Sequence, residues 1–243
     1  MILITRPKNE SLLLAKELKA KKFSTYIEPL SSFQYYKKQI SFNKKKIYIV
    51  SSLQAAHVLN IHRKNYKDII DQGNFFVIGK KVYSTLKKIG VQNIIKHFKT
   101  SDLLLKYFLK LNRSDLDIIY LCGSVVNEDF IHALQQKKIN FKKVILYKTI
   151  PVKQFSKRCL NLISTNQINV VLIYSFFAAK VFIRLLKKNN KIIALEQMYV
   201  LCLSKRIAQR FYEENVKQRV LYARSPDQQS MIKLLMDKKL KNY

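Results

Sequence analysis

Residues Ile49-Val50-Ser51-Ser52-Leu53-Gln54-Ala55-Ala56 read as an apolar run, a pair of small hydroxyls and the opening of a helix. The same phrase returns 123 residues later as Leu172-Ile173-Tyr174-Ser175-Phe176-Phe177-Ala178-Ala179. An unbroken apolar run suits a strand buried on both faces, which is the usual state of a parallel sheet. A second echo, at an offset of 125, sets Ile78-Gly79-Lys80-Lys81-Val82 against Leu203-Ser204-Lys205-Arg206-Ile207. Without a gap, the same offset carries Thr100-Ser101-Asp102 onto Ser225-Pro226-Asp227. Both triplets open an amphipathic helix with side chains suited to an N-cap. More loosely, Ile2–Arg6 and its helix match Ile118–Gly123 and its helix. A repeat of this length is too long for a solenoid and predicts two similar α/β domains of about 100–120 residues each.

The rest of the chain keeps the same alternation. Strands are predicted at Ile2–Thr5, Ile47–Ser51, Phe75–Ile78, Ile118–Cys122, Val170–Tyr174 and Tyr199–Leu203. Helical patterns follow, as in Glu10–Leu18, Ala55–Leu59 and Val82–Ile89. This is the α/β signature with parallel sheets. Two stretches carry a proline and little helical period: Glu28-Pro29-Leu30-Ser31-Ser32-Phe33 and Tyr147-Lys148-Thr149-Ile150-Pro151. Each reads as an extended crossing between domains.

Composition narrows the function. Of 243 residues, 46 are Lys or Arg and 15 are Asp or Glu, a net charge of +31, yet 48% are hydrophobic. That is enough for a core, and it excludes a disordered basic tail. The charge invites a nucleic-acid partner. However, only nine of the 46 are Arg, the better bidentate phosphate reader. The Lys-Lys pairs scatter (Lys21-Lys22, Lys37-Lys38, Lys87-Lys88, Lys137-Lys138, Lys187-Lys188). The chain is also rich in Lys, Ile, Asn, Phe and Tyr, with four Gly, four Pro and no Trp, a skew that an AT-rich coding sequence produces. A solvated lysine surface is the expectation, with no specific nucleic-acid partner. Cys122, Cys159 and Cys202 form no CxxC, and His57, His62, His97 and His132 form no HxxxH, so neither a disulfide framework nor a metal site is expected. Met1–Ile4 is too short for a signal peptide. The run Val170–Ala179 is too short and interrupted to span a bilayer. The expected setting is the cytoplasm.

Ligands of open parallel sheets sit beyond the carboxyl ends of the strands. The residues there are Thr5 and Arg6, Ser51 and Ser52, Gly79 and Lys80, Gly123 and Ser124, Ser175, and Ser204. They are small, hydroxylic or basic, and they open helices whose N-termini attract carboxylate or phosphate. Each serine alone is also a natural N-cap. There is no GxGxxG, no GxxxxGK[ST] and no GxSxG, so dinucleotide, P-loop and serine-hydrolase chemistries are not supported. Asp115 and Asp117 precede a strand, the wrong end for catalysis. Glu128 and Asp129 begin a helix, where the macrodipole explains them. The pattern describes an anion-binding site with few acids and bases.

The strand and turn Ile2-Leu3-Ile4-Thr5-Arg6-Pro7 resemble the amino terminus of the uroporphyrinogen-III synthase family. So do Ser51-Ser52-x-x-Ala55, Ile78-Gly79, Tyr147 at a crossing, Ser175-x-x-Ala178, and Ser204 with the closing Ser225-Pro226-Asp227 helix. The resemblance runs the length of the chain in order. It implies two flavodoxin-like, HemD-like three-layer domains joined by two strands: 1–33 plus 152–243, and 36–148, with connectors near 29–36 and 147–152. It implies a basic cleft between mobile domains. The implied reaction closes the linear tetrapyrrole hydroxymethylbilane, with loss of water and inversion of the last ring. Hydroxymethylbilane synthase is the implied source of the substrate. No metal or cofactor is implied, and a monomer is expected. Tyr147 matches the family's cleft tyrosine and is the implied proton donor, because a phenol stays protonated at neutral pH. Thr5, Arg6, Ser51, Ser52, Gly79, Lys80, Gly123, Ser124, Ser175 and Ser204 are the implied substrate contacts. Three positions depart from the family: Val82 and Tyr174 stand where Thr is frequent, and Cys122 where Arg is. Each removes a carboxylate donor. The alternative reading is a non-catalytic two-domain binding protein for an anionic ligand, a decayed synthase.

Overall fold

The computed structural model describes residues 1–111, 116–126, 128–216 and 218–237. Asp115, assigned above to the turn before a strand, lies outside the described residues. In chain order the elements are β1 (Ile2–Ile4), α1 (Lys8–Ala20), β2 (Thr25–Ile27), β3 (Ser31–Tyr35), β4 (Ile47–Val50), α2 (Leu53–Ile61), α3 (Lys67–Gln72), β5 (Asn74–Ile78), α4 (Lys80–Lys88) and β6 (Asn93–Phe98). There follow α5 (Ser101–Leu111), β7 (Ile118–Gly123), α6 (Glu128–Gln136), β8 (Phe141–Pro151), α7 (Lys157–Ser164), β9 (Val170–Ile173), α8 (Phe176–Lys188), β10 (Tyr199–Cys202), α9 (Lys205–Tyr212), β11 (Val220–Tyr222) and α10 (Gln228–Leu235). All six predicted strands are present and their ends agree to within a residue.

The chain divides into two compact units, Met1–Ser32 with Ile150–Tyr243, and Phe33–Thr149. It passes between them twice, within β3 and within β8. The first unit holds a five-stranded parallel sheet in the order β11-β10-β9-β1-β2. Read from the other edge and numbered along the unit's own chain, this is 2-1-3-4-5, the flavodoxin-like order. The second unit holds the order β3-β8-β7-β4-β5-β6, with β8 through β6 parallel. The sequence repeat now has a spatial meaning. β4 takes the place of β9, β5 that of β10, and β7 that of β1.

Each sheet is covered on both faces. In the first unit α7, α8 and α9 pack one face and α1 and α10 the other. In the second, α2, α3 and α4 cover one face and α5 and α6 the other. The central strands β1, β4, β7 and β9 are buried at every position, which is why they are unbroken apolar runs. Burial of that area supplies most of the folding drive.

Glu28 is the buried charged residue among the described residues; Thr5 and Ser11 are the buried polar ones. The residue is 7% exposed, and its carboxylate accepts from Ser156 N at 2.7 Å and Ser156 Oγ at 2.8 Å. Ser156 also caps α7, accepting from Cys159 N at 3.1 Å. One carboxylate thus ties the segment after β2 to the start of α7. Glu28→Ala is expected to destabilise the first unit by about 2–3 kcal/mol, since it strands a hydroxyl and an N–H that bond a charged group. Urea unfolding measures this; a loss below about 0.5 kcal/mol would show the tie to be dispensable.

Candidate functional site

In a sheet of this order, neighbouring helices leave opposite faces at one point, and the crevice there faces the strand carboxyl ends. In the second unit that point lies between β4, followed by α2, and β7, followed by α6. A pocket of about 320 Å³ sits there. Its polar lining includes Ser51, Ser52, Ser101, Tyr120 and Tyr147, with Gly123 in its wall. Four of these, Ser51, Ser52, Gly123 and Tyr147, are candidates from the sequence. The other two are not. Tyr120 hides inside a strand that reads as uniformly core, and Ser101 reads as a helix-opening residue.

Two serine–tyrosine pairs stand in this pocket. Ser51 Oγ and Tyr120 Oη are 2.7 Å apart, and Ser52 Oγ and Tyr147 Oη are also 2.7 Å apart. Ser52 is in addition the N-cap of α2, accepting from Gln54 N at 3.1 Å and Ala55 N at 3.3 Å. Tyr147 is brought here by a β-bulge. Cys122 pairs with Ile145 but Gly123 pairs with Tyr147, so Leu146 is the extra residue on β8. Strict alternation would send Leu146 and Tyr147 to opposite faces. With the bulge, both join the same core cluster. Ser124 N then donates to Tyr147 O at 2.8 Å and pins the strand. Phe33 of β3 packs edge-on against the Tyr147 ring at 5.7 Å.

Gly123 makes room for that ring. A Cβ at Gly123 would lie 2.4 Å from Tyr147 Cζ and 2.8 Å from its Oη. Gly79 has a different reason to be glycine: it precedes α4 with φ +93°, a backbone region that side chains disfavour.

Burial tunes the pocket's acids upward. Desolvation raises the Tyr147 phenol above its ordinary value, while the hydrogen bond to Ser52 opposes the rise. Tyr120 is pushed up to about 12 and the Cys122 thiol to about 11, both chiefly by burial. The phenols and the thiol therefore stay protonated at neutral pH, so the pocket offers proton donors and no base. Cys122, standing where Arg is frequent, brings a neutral thiol to the wall. Val82, standing for Thr, is 6% exposed and packed into the core.

The corresponding point of the first unit lies between β1 and β9, and it is filled differently. The Thr5 side chain is 1% exposed and its hydroxyl donates to Leu172 O at 2.7 Å. That hydroxyl ties β1 to the end of β9. Arg6 stacks its guanidinium over the Tyr174 ring, 4.4 Å from the centroid. It also bonds the Glu10 carboxylate and, at 3.1 Å, Gln228 Oε1. Arg6 is thus engaged within its own unit, and Tyr174, the departure from Thr, is what it stacks on. Ser175 caps α8, accepting from Ala178 N at 3.0 Å, as its counterpart Ser52 caps α2. Ser204 is the N-cap residue of α9 without a side-chain cap bond. Lys80, Ser124 and Ser175 are exposed, and Gly79 and Ser204 half-buried.

Among the described residues no group of three or more His, Cys, Asp or Glu side chains is placed to hold a metal ion. Three of the four histidines are exposed, His62 being half-buried. The three cysteines are buried and form no disulfide. No helix among the described residues is long and apolar enough to cross a membrane.

The family model described as uroporphyrinogen-III synthase HemD matches residues 12–233. The fold is similar to the crystal structure of uroporphyrinogen-III synthetase from Helicobacter pylori, at TM-score 0.67 and 14% identity over 97% of each chain. It is also similar to a mutant uroporphyrinogen III synthase from the extremely thermophilic bacterium Thermus thermophilus, at TM-score 0.62 and 10% identity over 100% of each chain. At such identities the structural likeness speaks for the fold. A search of curated proteins finds no significant match.

Proposed function

The chain belongs to the uroporphyrinogen-III synthase family, and from that premise we propose that it closes hydroxymethylbilane to uroporphyrinogen III in the second unit's pocket, as a hydro-lyase with Tyr147 as proton donor. The carrying observation is the buried, protonated phenol held between Ser52 and Gly123 at the strand carboxyl ends. Loss of the substrate's terminal hydroxyl needs a proton. The phenol gives it to the leaving oxygen, the C–O bond breaks and water departs. A C–C bond then forms between the methylene so freed and the substituted α-carbon of the last ring. The bond from that carbon to its original bridging methylene breaks, and that methylene re-bonds at the ring's free α-carbon, which inverts the ring. The proton released as the ring regains its aromaticity restores the phenol. No base beyond the phenolate so formed is required. Most of the acceleration then comes from holding the chain's two ends in one geometry.

A pocket of about 320 Å³ accommodates part of a linear tetrapyrrole, the reacting end. The substrate's carboxylates extend beyond it. Lys80, Gly79, Ser124, Ser175 and Ser204 are proposed to meet them, through exposed hydroxyls, an ammonium and the N-termini of helices. Arg6 is proposed only as a frame for Tyr174. The buried thiols suit a reducing compartment, and we place the protein in the cytoplasm as a monomer that receives its substrate from hydroxymethylbilane synthase. The test is kinetic. Added to hydroxymethylbilane generated in situ, the protein is expected to speed its disappearance well beyond spontaneous closure. Disappearance at the spontaneous rate, by folded protein, would leave the binding-protein alternative.

A further inference from the structure

The two serine–tyrosine pairs differ in one respect. A serine hydroxyl has two acceptor lone pairs and one proton. Ser52 Oγ accepts from two backbone N–H groups, those of Gln54 and Ala55. Ser51 Oγ has no such partners; Tyr120 is its one hydrogen-bond partner among the described residues, and in that pair either oxygen can donate.

We propose that Ser52 is a positioning residue that fixes the direction of the Tyr147 proton: with both lone pairs occupied by the first turn of α2, its hydroxyl donates to Tyr147 Oη and leaves the phenol's own proton to point into the pocket. The inference rests on Tyr147 being the proton donor, and goes beyond it by saying why the phenol does not waste its proton on the nearest oxygen. Ser52 is the one hydrogen-bond partner of Tyr147 Oη among the described residues. Were Ser52 an uncommitted hydroxyl, Tyr147 would be free to donate to it, and the leaving group would then find a lone pair where it needs a proton. The backbone of α2 removes that alternative. The same arrangement serves after proton transfer. The Ser52 O–H already faces the phenolate oxygen, at the positive end of a helix dipole, and stabilises the charge left behind.

The first unit holds a related but distinct case: Ser156 Oγ accepts from one backbone N–H, that of Cys159, lies 3.1 Å from Tyr26 Oη, and donates to the Glu28 carboxylate, which can only accept.

Three substitutions separate direction from capping. Asn and Asp are isosteric and cap helices about equally well. Ser52→Asn caps through its carbonyl oxygen and still offers N–H donors to Tyr147. Ser52→Asp caps but only accepts, so it draws the phenol's proton away from the pocket. Ser52→Thr keeps both the cap and the donor. The readouts are kcat and KM for type III product and the melting temperature. The expected result is that Asp lies at least about tenfold below Asn in kcat, with KM and melting temperature similar between the two, and that Thr recovers most of the activity. Equal kcat for Asp and Asn overturns the proposal, and so does a Thr variant as slow as Asp. Wild-type protein that makes no type III product would instead tell against the function itself, and it is measured in the same series.

Discussion

Tyr147→Phe is expected to lower kcat for type III formation by up to about a hundredfold, with little change in KM or melting temperature. The ring is 8% exposed and packs against Phe33 and the core of the second unit, and phenylalanine keeps all of that contact. What it removes is one oxygen and its proton. The Ser52 hydroxyl then loses its acceptor but keeps its bonds to Gln54 N and Ala55 N, so the cap of α2 survives. Steady-state kinetics on the product isomer and a melting curve settle the point together. An unchanged kcat would take Tyr147 out of proton transfer and leave positioning as the whole mechanism. A fall in kcat accompanied by a collapse in melting temperature would assign the residue to packing.

Gly123→Ala is expected to cost at least as much activity, for a steric reason. The added methyl would stand 2.4 Å from Tyr147 Cζ, which no real contact tolerates. The ring must swing, because the Gly123 backbone is fixed in the β7–β8 ladder and Ser124 N is bonded to Tyr147 O. Once swung, the phenol leaves Ser52 and loses its aim. Overpacking adds a stability loss of about 1–3 kcal/mol. The double variant makes the account specific. If Gly123→Ala acts through the phenol, adding it to Tyr147→Phe costs little more, because that phenol is already gone. The measurement is the four-way cycle of kcat values. Additive losses would show that Gly123 matters for another reason.

Much of the fold is legible in the sequence because its central strands are buried on both faces. Ile47–Val50 and Val170–Ile173 leave no polar residue to blur the signal. β2, β6 and β11 lie at or near sheet edges and carry Thr25, Lys96 or Tyr222. Only the end of β8, Tyr147–Pro151, reads as extended, as a crossing; its start carries the adjacent Lys142-Lys143 and lies beside the edge strand β3. The repeat is the more durable clue. It matches β4 to β9 and β5 to β10 without any knowledge of strand order.

The site is half legible. Ser51, Ser52 and Gly123 fall at strand ends, where parallel sheets place ligands, and the pocket gathers them. Tyr147 comes from resemblance alone, since its position depends on a bulge that no periodicity announces. Tyr120 is invisible because its side chain lies within an all-apolar strand. Thr5 and Arg6 satisfy the same strand-end rule and also have partners inside their own unit, Leu172 O, Glu10 and Tyr174. Residue type and strand position identify candidates; what else a hydroxyl or guanidinium touches depends on neighbours as near as Glu10 and as far along the chain as Leu172 and Tyr174.

The central claim is that this pocket directs closure toward the inverted ring. The most direct measurement is the identity of the product. Hydroxymethylbilane is generated in situ, the protein is added, and the oxidised porphyrin isomers are separated by chromatography. Spontaneous closure gives the symmetric type I isomer. The expected result is predominantly type III product. Type I alone, from protein shown to be folded, would contradict the account.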